Sequence, residues 1–241
     1  MSTKAYYPLN EIGKGKPGFS KTRSIIEAAF YGNNVVPVNT LKEAYNLAKN
    51  SPGTIVTDMP VYRGEEFGLD KDAKVLLFND GAITGRYAAA RRIAGEPGVD
   101  CEALDKVAMD AIYSARYKKM YHATCYAGLD PEFMVKAHLL IPEGEENLMY
   151  SWMLNFQYMS DEYVKMYKNS KPVGDGKEPD IYIFSDPQWT PVEHPGVNFD
   201  CLSDPAKKTL CYFNTETNCA CILGMRYFGE HKKGTLTLAW A

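Results

Sequence analysis

The chain has 241 residues, 45% of them hydrophobic, which is enough to bury a large core in one big domain or two small ones. Its formal net charge of −3 provides no basic field that would hold nucleic acid or an anionic membrane. No apolar run approaches the ~18 residues of a membrane span, and residues 1–7 lack the apolar core of a signal peptide. These features predict a cytoplasmic protein with neither nucleic acid nor a membrane as partner.

The N-terminal third predicts alternating helices and strands, which places helices against a sheet. Ser20 is a candidate N-cap, and Thr40 with Glu43 has the spacing of a capping box. Helices are predicted at 21–31 and 40–49, and strands at 35–38, 54–57 and 74–78.

A G-x-G-x-x-G pattern occurs at Gly13–Gly18. No strand precedes it, Pro17 interrupts it, and no acidic residue follows at the distance that dinucleotide-binding proteins use. A nucleotide-binding oxidoreductase built on this segment is therefore the weakest of three functional alternatives.

An arginine-rich junction follows the third predicted strand. Asn79-Asp-Gly81 is typical of a turn, and Thr84-Gly85-Arg86 leads into a helix-forming run that ends at Arg92. An arginine at such a junction suits a carboxylate, because the backbone N–H groups of a helix start lie beside its guanidinium. Composition alone favours solvated arginines on a helix face, so both interpretations stay open at this point.

The middle of the chain predicts further helices and strands. Asp130 is expected to form a turn, His194 to be structural, and the Gly- and Pro-rich stretch 171–179 to be a loop inside one domain. Cys219 and Cys221 would share one face of a strand as buried free thiols, since no second Cys or His pair lies at zinc spacing. A helix is predicted at 101–121, a turn at 126–132, a strand at 134–141, a helix at 146–159, a strand at 180–184, and a hairpin of strands at 208–214 and 218–223.

Two adjacent lysines, Lys232 and Lys233, lie between apolar runs near the C-terminus. Such pairs are usually surface residues at an element boundary. Alternatively, burial and a like-charged neighbour disfavour the ammonium form, and a neutral amine can act as a base or a metal ligand. Tyr227 and Gly229 add a phenol and a backbone N–H beside them.

The segment Tyr227-x-Gly-Glu-x-Lys-Lys-Gly234 resembles the one that closes the N-terminal domain of ATP-dependent phosphoenolpyruvate carboxykinases. Ile83-Thr-Gly-Arg86 resembles the family's Phe-Thr-Gly-Arg motif, although Tyr87-Ala-Ala-Ala follows where the family commonly has Ser-Pro-Lys-Asp. The resemblance covers residues 54–241 and is strongest from Pro179 onward. It implies a single N-terminal substrate-binding domain over 1–241, with 1–53 as an extension, built on a mixed α/β sheet flanked by helices. It also implies a helix after the lysines, where Thr235–Trp240 alternates like a strand.

The function that this resemblance implies is gluconeogenic conversion of oxaloacetate and ATP to phosphoenolpyruvate, CO2 and ADP, with Mn2+ or Mg2+. Arg86 would bind the substrate carboxylate, Tyr227 would contact the substrate, and the Gly229 N–H would contact the departing carboxylate. Lys233 would ligate the metal as a neutral amine and contact the nucleotide, and Lys232 would approach the phosphoryl oxygens.

The sequence contains no G-x-x-x-x-G-K-[ST] phosphate loop. In the family that loop belongs to a C-terminal nucleotide-binding domain, which also supplies a histidine and an aspartate to the metal. The resemblance therefore implies that this domain is the partner and that the chain alone is inactive. The alternative from another class is a stand-alone module that binds a dicarboxylate or phosphoenolpyruvate without catalysis.

Overall fold

The protein is described by a computed structural model covering residues 20–78, 89–171, 180–192 and 198–240. These residues form an α/β fold, a mixed sheet flanked by helices, which confirms the predicted fold class at this level. Helices occur at α1 (Lys21–Ala28), α2 (Leu41–Ala48), α3 (Cys101–Ala115), α4 (Glu146–Met153), α5 (Asp161–Asn169) and α6 (Phe228–Trp240). Within the described ranges no helix has the length and apolar character that spanning a membrane requires.

The strands of the described residues form one large sheet and one small one. They are β1 (Val35–Val38), β2 (Thr54–Pro60), β3 (Lys74–Phe78), β4 (Arg92–Ile93), β5 (Met120–Asp130), β6 (Phe133–Pro142), β7 (Gln157–Tyr158), β8 (Ile181–Asp186), β9 (Leu210–Asn214) and β10 (Cys219–Leu223). The large sheet has the order β1-β5-β6-β8-β10-β9-β4, with β7 also pairing with β5, while β2 and β3 form a separate antiparallel pair. Within the large sheet β5 runs antiparallel to β6, and β9 antiparallel to β10, whereas β8 is parallel to both of its neighbours.

Helices cover both faces of the large sheet. One apolar core packs α2, α4 and α6 against one face, and a second packs α1 and α3 against the other. Every residue of β8 and β10 is buried for this reason. Cys219 and Cys221 both lie in the second core as free thiols, as predicted, and burial raises the pKa of Cys219 to about 12.

The predicted caps of the first two helices are confirmed. Ser20 Oγ accepts a hydrogen bond from the Arg23 N–H, and Thr40 and Glu43 form the full capping box. Each cap satisfies backbone N–H groups that a helix start leaves without an intrahelical partner.

Strand β1 lies at one end of the sheet order and pairs in parallel with β5. The Asn34 carbonyl accepts from the Met120 N–H, so alternate residues of this segment face β5 and the others face outward. Of the outward residues, Val35 donates its N–H to the Gly32 carbonyl, and Pro37 has no N–H.

Several predicted boundaries are wrong. The helix predicted over 101–121 ends at Ala115, because residues from Met120 onward pair with β1 and are strand. Most of the turn predicted over 126–132 belongs to β5, the helix predicted over 146–159 ends at Met153, and α5 was not predicted. The helix expected after the lysines is confirmed as α6, and its buried residues include Gly234, Thr235 and Leu238 at helical spacing.

Candidate active site

A cleft of about 450 Å³ lies at the N-terminal end of α6. Its walls are the end of β3 at Leu76–Phe78, the start of α4, and the segment Arg226–Gly229. The cleft therefore joins the segment that carries the lysine motif to a strand far away in the sequence.

Gly224 directs the chain from β10 toward this cleft. Its φ of +67° lies in the left-handed region, and a Cβ there would lie 2.5 Å from the Lys208 carbonyl oxygen. Only glycine fits this turn without strain. The turn places Tyr227 directly before α6.

The Tyr227 ring lies against the Cα atom of Gly229. A Cβ at Gly229 would come within 2.6 Å of the Tyr227 Cζ atom and 2.7 Å of its hydroxyl oxygen. The structure thus brings together two residues that the sequence analysis singled out, and both line the cleft.

Lys232 and Lys233 lie on the same face of α6 as Gly229, because residues three and four positions apart share a helix face. Lys232 is half-buried and Lys233 is exposed. The opposite face of α6, which includes Glu230, His231 and Thr235, is buried.

Hydrogen bonds and close packing hold α6 in place. The Trp152 Nε1–H group donates to Thr235 Oγ1 at 3.0 Å, joining α4 to α6. At Gly234 a Cβ would approach the Phe213 ring to 2.8 Å, so glycine lets the helix lie close to β9.

His231 of α6 is fully buried. Its Nδ1 lies 3.2 Å from the Tyr227 carbonyl oxygen, which only accepts, so Nδ1 carries the proton. Nε2 then accepts from the Ser185 hydroxyl at 2.7 Å. Burial lowers the pKa of His231 to about 4, so the neutral ring ties the backbone of Tyr227 to β8.

An ion pair between Arg226 and Glu145 crosses the cleft wall. The Arg226 Nε–H group lies 2.8 and 2.7 Å from the two carboxylate oxygens, and Gln188 Nε2 donates to Glu145 Oε1 at 3.1 Å. The Glu145 side chain is 1% exposed, so its charge depends on these partners. The sequence analysis missed this pair, since 81 positions separate the residues and no local pattern links them.

Arg91 forms a second ion pair, with the buried Glu230 of α6. Its NH1 group donates to Thr237 Oγ1 at 2.8 Å, and its guanidinium lies 4.9 Å from the centre of the Phe213 ring. Arg92 belongs to β4 and donates to the Leu202 carbonyl at 3.0 Å. The composition-based interpretation of solvated arginines on a helix face is therefore wrong for these two residues.

Arg86 lies outside the described residues, as do Gly13–Gly18 and His194. The described residue nearest before Arg86 is Phe78, which lines the cleft, and the nearest after it is Ala89. Arg91, a little further along the chain, pairs with Glu230 of α6. Asp130 is the last residue of β5 and supports the turn that follows, in line with its predicted role, because its Oδ1 atom accepts from the Glu132 N–H at 2.8 Å.

No protein-family model matches this chain. A comparison with curated proteins also gives no significant match. Among the described residues, no group of three or more His, Cys, Asp or Glu side chains is placed to hold a metal ion. Any functional assignment therefore depends on the motifs and on the geometry of the cleft.

Proposed function

We propose that this chain is the N-terminal, substrate-binding domain of an ATP-dependent phosphoenolpyruvate carboxykinase. The enzyme decarboxylates oxaloacetate and phosphorylates the resulting enolate, giving phosphoenolpyruvate, CO2 and ADP. The observation that carries the proposal is the contact of Tyr227 with Gly229 at a cleft, with Lys232 and Lys233 on the same face of the helix that follows.

Three parts of this arrangement suit a small dianionic substrate. The cleft has room for a four-carbon acid, the phenol and a helix-start N–H supply donors, and cationic side chains follow one turn later. The mixed sheet, and the helix where the sequence alternates like a strand, support the same family.

Each residue has a defined role in the proposal. Tyr227 contacts the substrate, and the Gly229 N–H group contacts the carboxylate that leaves as CO2. Lys232 approaches the transferred phosphoryl oxygens. Arg86 binds the substrate carboxylate.

Lys233 is assigned to the divalent cation and to the nucleotide. Its side chain is exposed, so a partner domain can reach the amine, and any amine that binds a metal ion must first give up its proton. One amine does not hold Mn2+ or Mg2+, and the described residues offer no acidic or histidine cluster beside it. The remaining ligands and the ATP site belong to the nucleotide-binding domain that is the proposed partner. When bound, the cation would stabilise negative charge on oxygen as a Lewis acid.

Binding of phosphoenolpyruvate to the purified chain tests the substrate site. Calorimetric titration should show binding by the wild-type chain, and Arg86→Ala and Tyr227→Ala should each weaken it about tenfold or more, since each removes a hydrogen bond to a charged ligand. Arg63→Ala is the matched control, because Arg63 is an exposed arginine paired with Glu66 on the surface.

Turnover tests the enzyme assignment. ATP-dependent loss of oxaloacetate should appear only when a carboxykinase nucleotide-binding domain is added to the chain, and Lys233→Ala should abolish it. Turnover by the chain alone, or equal binding by the wild-type and Arg86→Ala proteins, would contradict the proposal.

A stand-alone binding module is the second candidate. It is favoured by one observation, namely that three separate segments of this chain line the cleft, with the Arg226 guanidinium in its wall. This candidate expects the same binding results but no turnover after any domain is added.

A further inference from the structure

Two histidines meet on the opposite face of the sheet from α6. His122 and Thr124 are two residues apart on β5, so they project to the same face, and His138 of β6 pairs directly with Thr124. Asp180 lies just before β8, two residues from Tyr182, which pairs with His138. We call His122, Thr124, His138 and Asp180 the histidine cluster.

Three atoms of this cluster converge on one point. His122 Nε2 lies 2.9 Å from His138 Nδ1, and Thr124 Oγ1 lies 3.3 and 3.1 Å from these two nitrogen atoms. In a tetrahedral zinc site with metal–nitrogen distances of about 2.1 Å, neighbouring ligand atoms are about 3.4 Å apart. The triangle is slightly smaller than this, and the distance between the two nitrogens must open the most, by about half an ångström.

Asp180 determines which nitrogen of His138 has a free lone pair. Its Oδ2 atom accepts from His138 Nε2 at 3.1 Å, so Nε2 holds a proton, and in the neutral ring Nδ1 faces His122 with a lone pair. Burial alone would raise the pKa of Asp180, but the hydrogen bond from His138 and the charge of Lys136 outweigh it and lower that pKa. A carboxylate behind a metal-binding imidazole is the usual way in which proteins fix the ring and its tautomer.

His122 presents Nε2 to His138 Nδ1. With Nδ1 of His138 as the acceptor, the His122 Nε2–H group donates to it, and moving that proton to His122 Nδ1 frees the second lone pair.

Aromatic rings hold the two imidazoles in place. The His138 ring stacks on Tyr182 with centroids 4.6 Å apart, and the Phe30 ring meets His122 edge-on at 5.1 Å. Tyr167 donates its hydroxyl to Asp180 Oδ1 at 3.1 Å. His122 and Thr124 are only half-buried, so a hydrated cation can reach them.

We propose that His122 Nε2 and His138 Nδ1 bind a divalent transition-metal cation of the zinc class, with Thr124 Oγ1 and water completing the coordination. Imidazole nitrogens suit Zn2+, Co2+, Ni2+ and Cu2+ rather than Mg2+ or Ca2+. Asp180 is a positioning residue of this site. The site has only two histidine ligands. It is therefore compatible with the finding that no group of three or more His, Cys, Asp or Glu side chains among the described residues is placed to hold a metal ion. It is separate from the cation assigned to Lys233.

Cobalt chloride titration of the full chain, freed of metal with a chelator, is the direct experiment. The site predicts a saturable visible absorbance without a thiolate-to-cobalt band, and zinc chloride should remove the cobalt. His122→Ala and His138→Ala should abolish the absorbance, and Asp180→Asn should weaken binding about 10–100-fold. His194→Ala is the control and should leave binding unchanged.

Three results would overturn the site: no saturable absorbance, a thiolate band, or unchanged binding in His122→Ala. Nuclear magnetic resonance of the wild-type chain covers the case in which a variant does not fold. Cobalt must then shift the ring signals of two of the four histidines. Shifts at one or none would also rule out the proposal.

Discussion

The cleft beside α6 and the histidine cluster are polar sites on opposite faces of one sheet, and their buried polar groups differ in charge. In the cleft wall, the buried side chain of Glu145 faces the Arg226 guanidinium. In the histidine cluster, the pKa of His122 is lowered so that its imidazole stays neutral. The first place suits a charged substrate, and the second suits a ligand that needs lone pairs.

The largest expected effect is that of Arg226→Ala. Removing the guanidinium leaves Glu145 as an almost fully buried charge, so we expect a loss of about 3–5 kcal/mol in the free energy of unfolding. Urea unfolding of both proteins measures it. Lys42→Ala breaks an exposed pair with Asp70 and should cost less than about 1 kcal/mol. Equal losses in the two variants would contradict the expected difference between a buried and an exposed ion pair.

Gly229→Ala should cost about 1–3 kcal/mol, because the new Cβ displaces the Tyr227 ring. Thermal unfolding of the single variants and of the double variant with Tyr227→Ala measures the coupling. Once the ring is gone the alanine should cost little, since alanine is favoured over glycine in a helix. Additive losses would mean that the ring and Gly229 are not in contact.

His122→Phe should cost only about 0.5–1.5 kcal/mol in the metal-free chain. It removes a neutral hydrogen bond, while His138 Nδ1 keeps the Thr124 hydroxyl 3.1 Å away as a donor. Urea unfolding in the presence of a chelator gives the value. A loss as large as that of Arg226→Ala would show that His122 carries a charge in the folded protein. The cleft wall and the histidine cluster would then not differ in charge as described.

The smallest effect is expected at Asp105, a buried carboxyl on the same face of the sheet as the histidine cluster. Burial raises its pKa although Thr22 donates to it at 2.7 Å. The folded protein therefore binds this proton more tightly than the unfolded chain, and stability falls as the pH rises above about 4, the ordinary value.

Asp105→Asn should remove this part of the pH dependence and stabilise the protein slightly at pH 7, with no gain below pH 3. Unfolding free energies at several pH values provide the test. A variant that is less stable than the wild type at pH 7 would show that the ionised carboxylate is favoured in the fold.

Features of the fold that depend on neighbouring residues could be predicted from the sequence. The capping box at Thr40 and the hairpin of β9 and β10 are local, and both are confirmed. The end of α3 is set instead by the pairing of β5 with β1, some 85 positions away. The helical pattern of the sequence extends past that end, so the predicted helix was too long. In α6 the buried residues have helical spacing. The sequence Thr235–Trp240 nevertheless alternates between polar and apolar residues like a strand, and only the family resemblance predicted a helix there.

The candidate sites follow the same rule. Tyr227 and Gly229 are two residues apart, so their meeting could be anticipated from one motif. The partner of Arg226 is Glu145, which lies directly before α4, and the partner of His122 depends on the register between β5 and β6. Neither partner could be predicted from the spacing of residues in the sequence, because tertiary packing determines both.

The outer side of β1 has a consequence for self-association. The amide hydrogen of Val35 is used within its own chain, and the Pro37 ring nitrogen has none to give. A second molecule that approached this side in extended conformation would find carbonyl oxygens but no donors, so strand addition and aggregation through it are disfavoured.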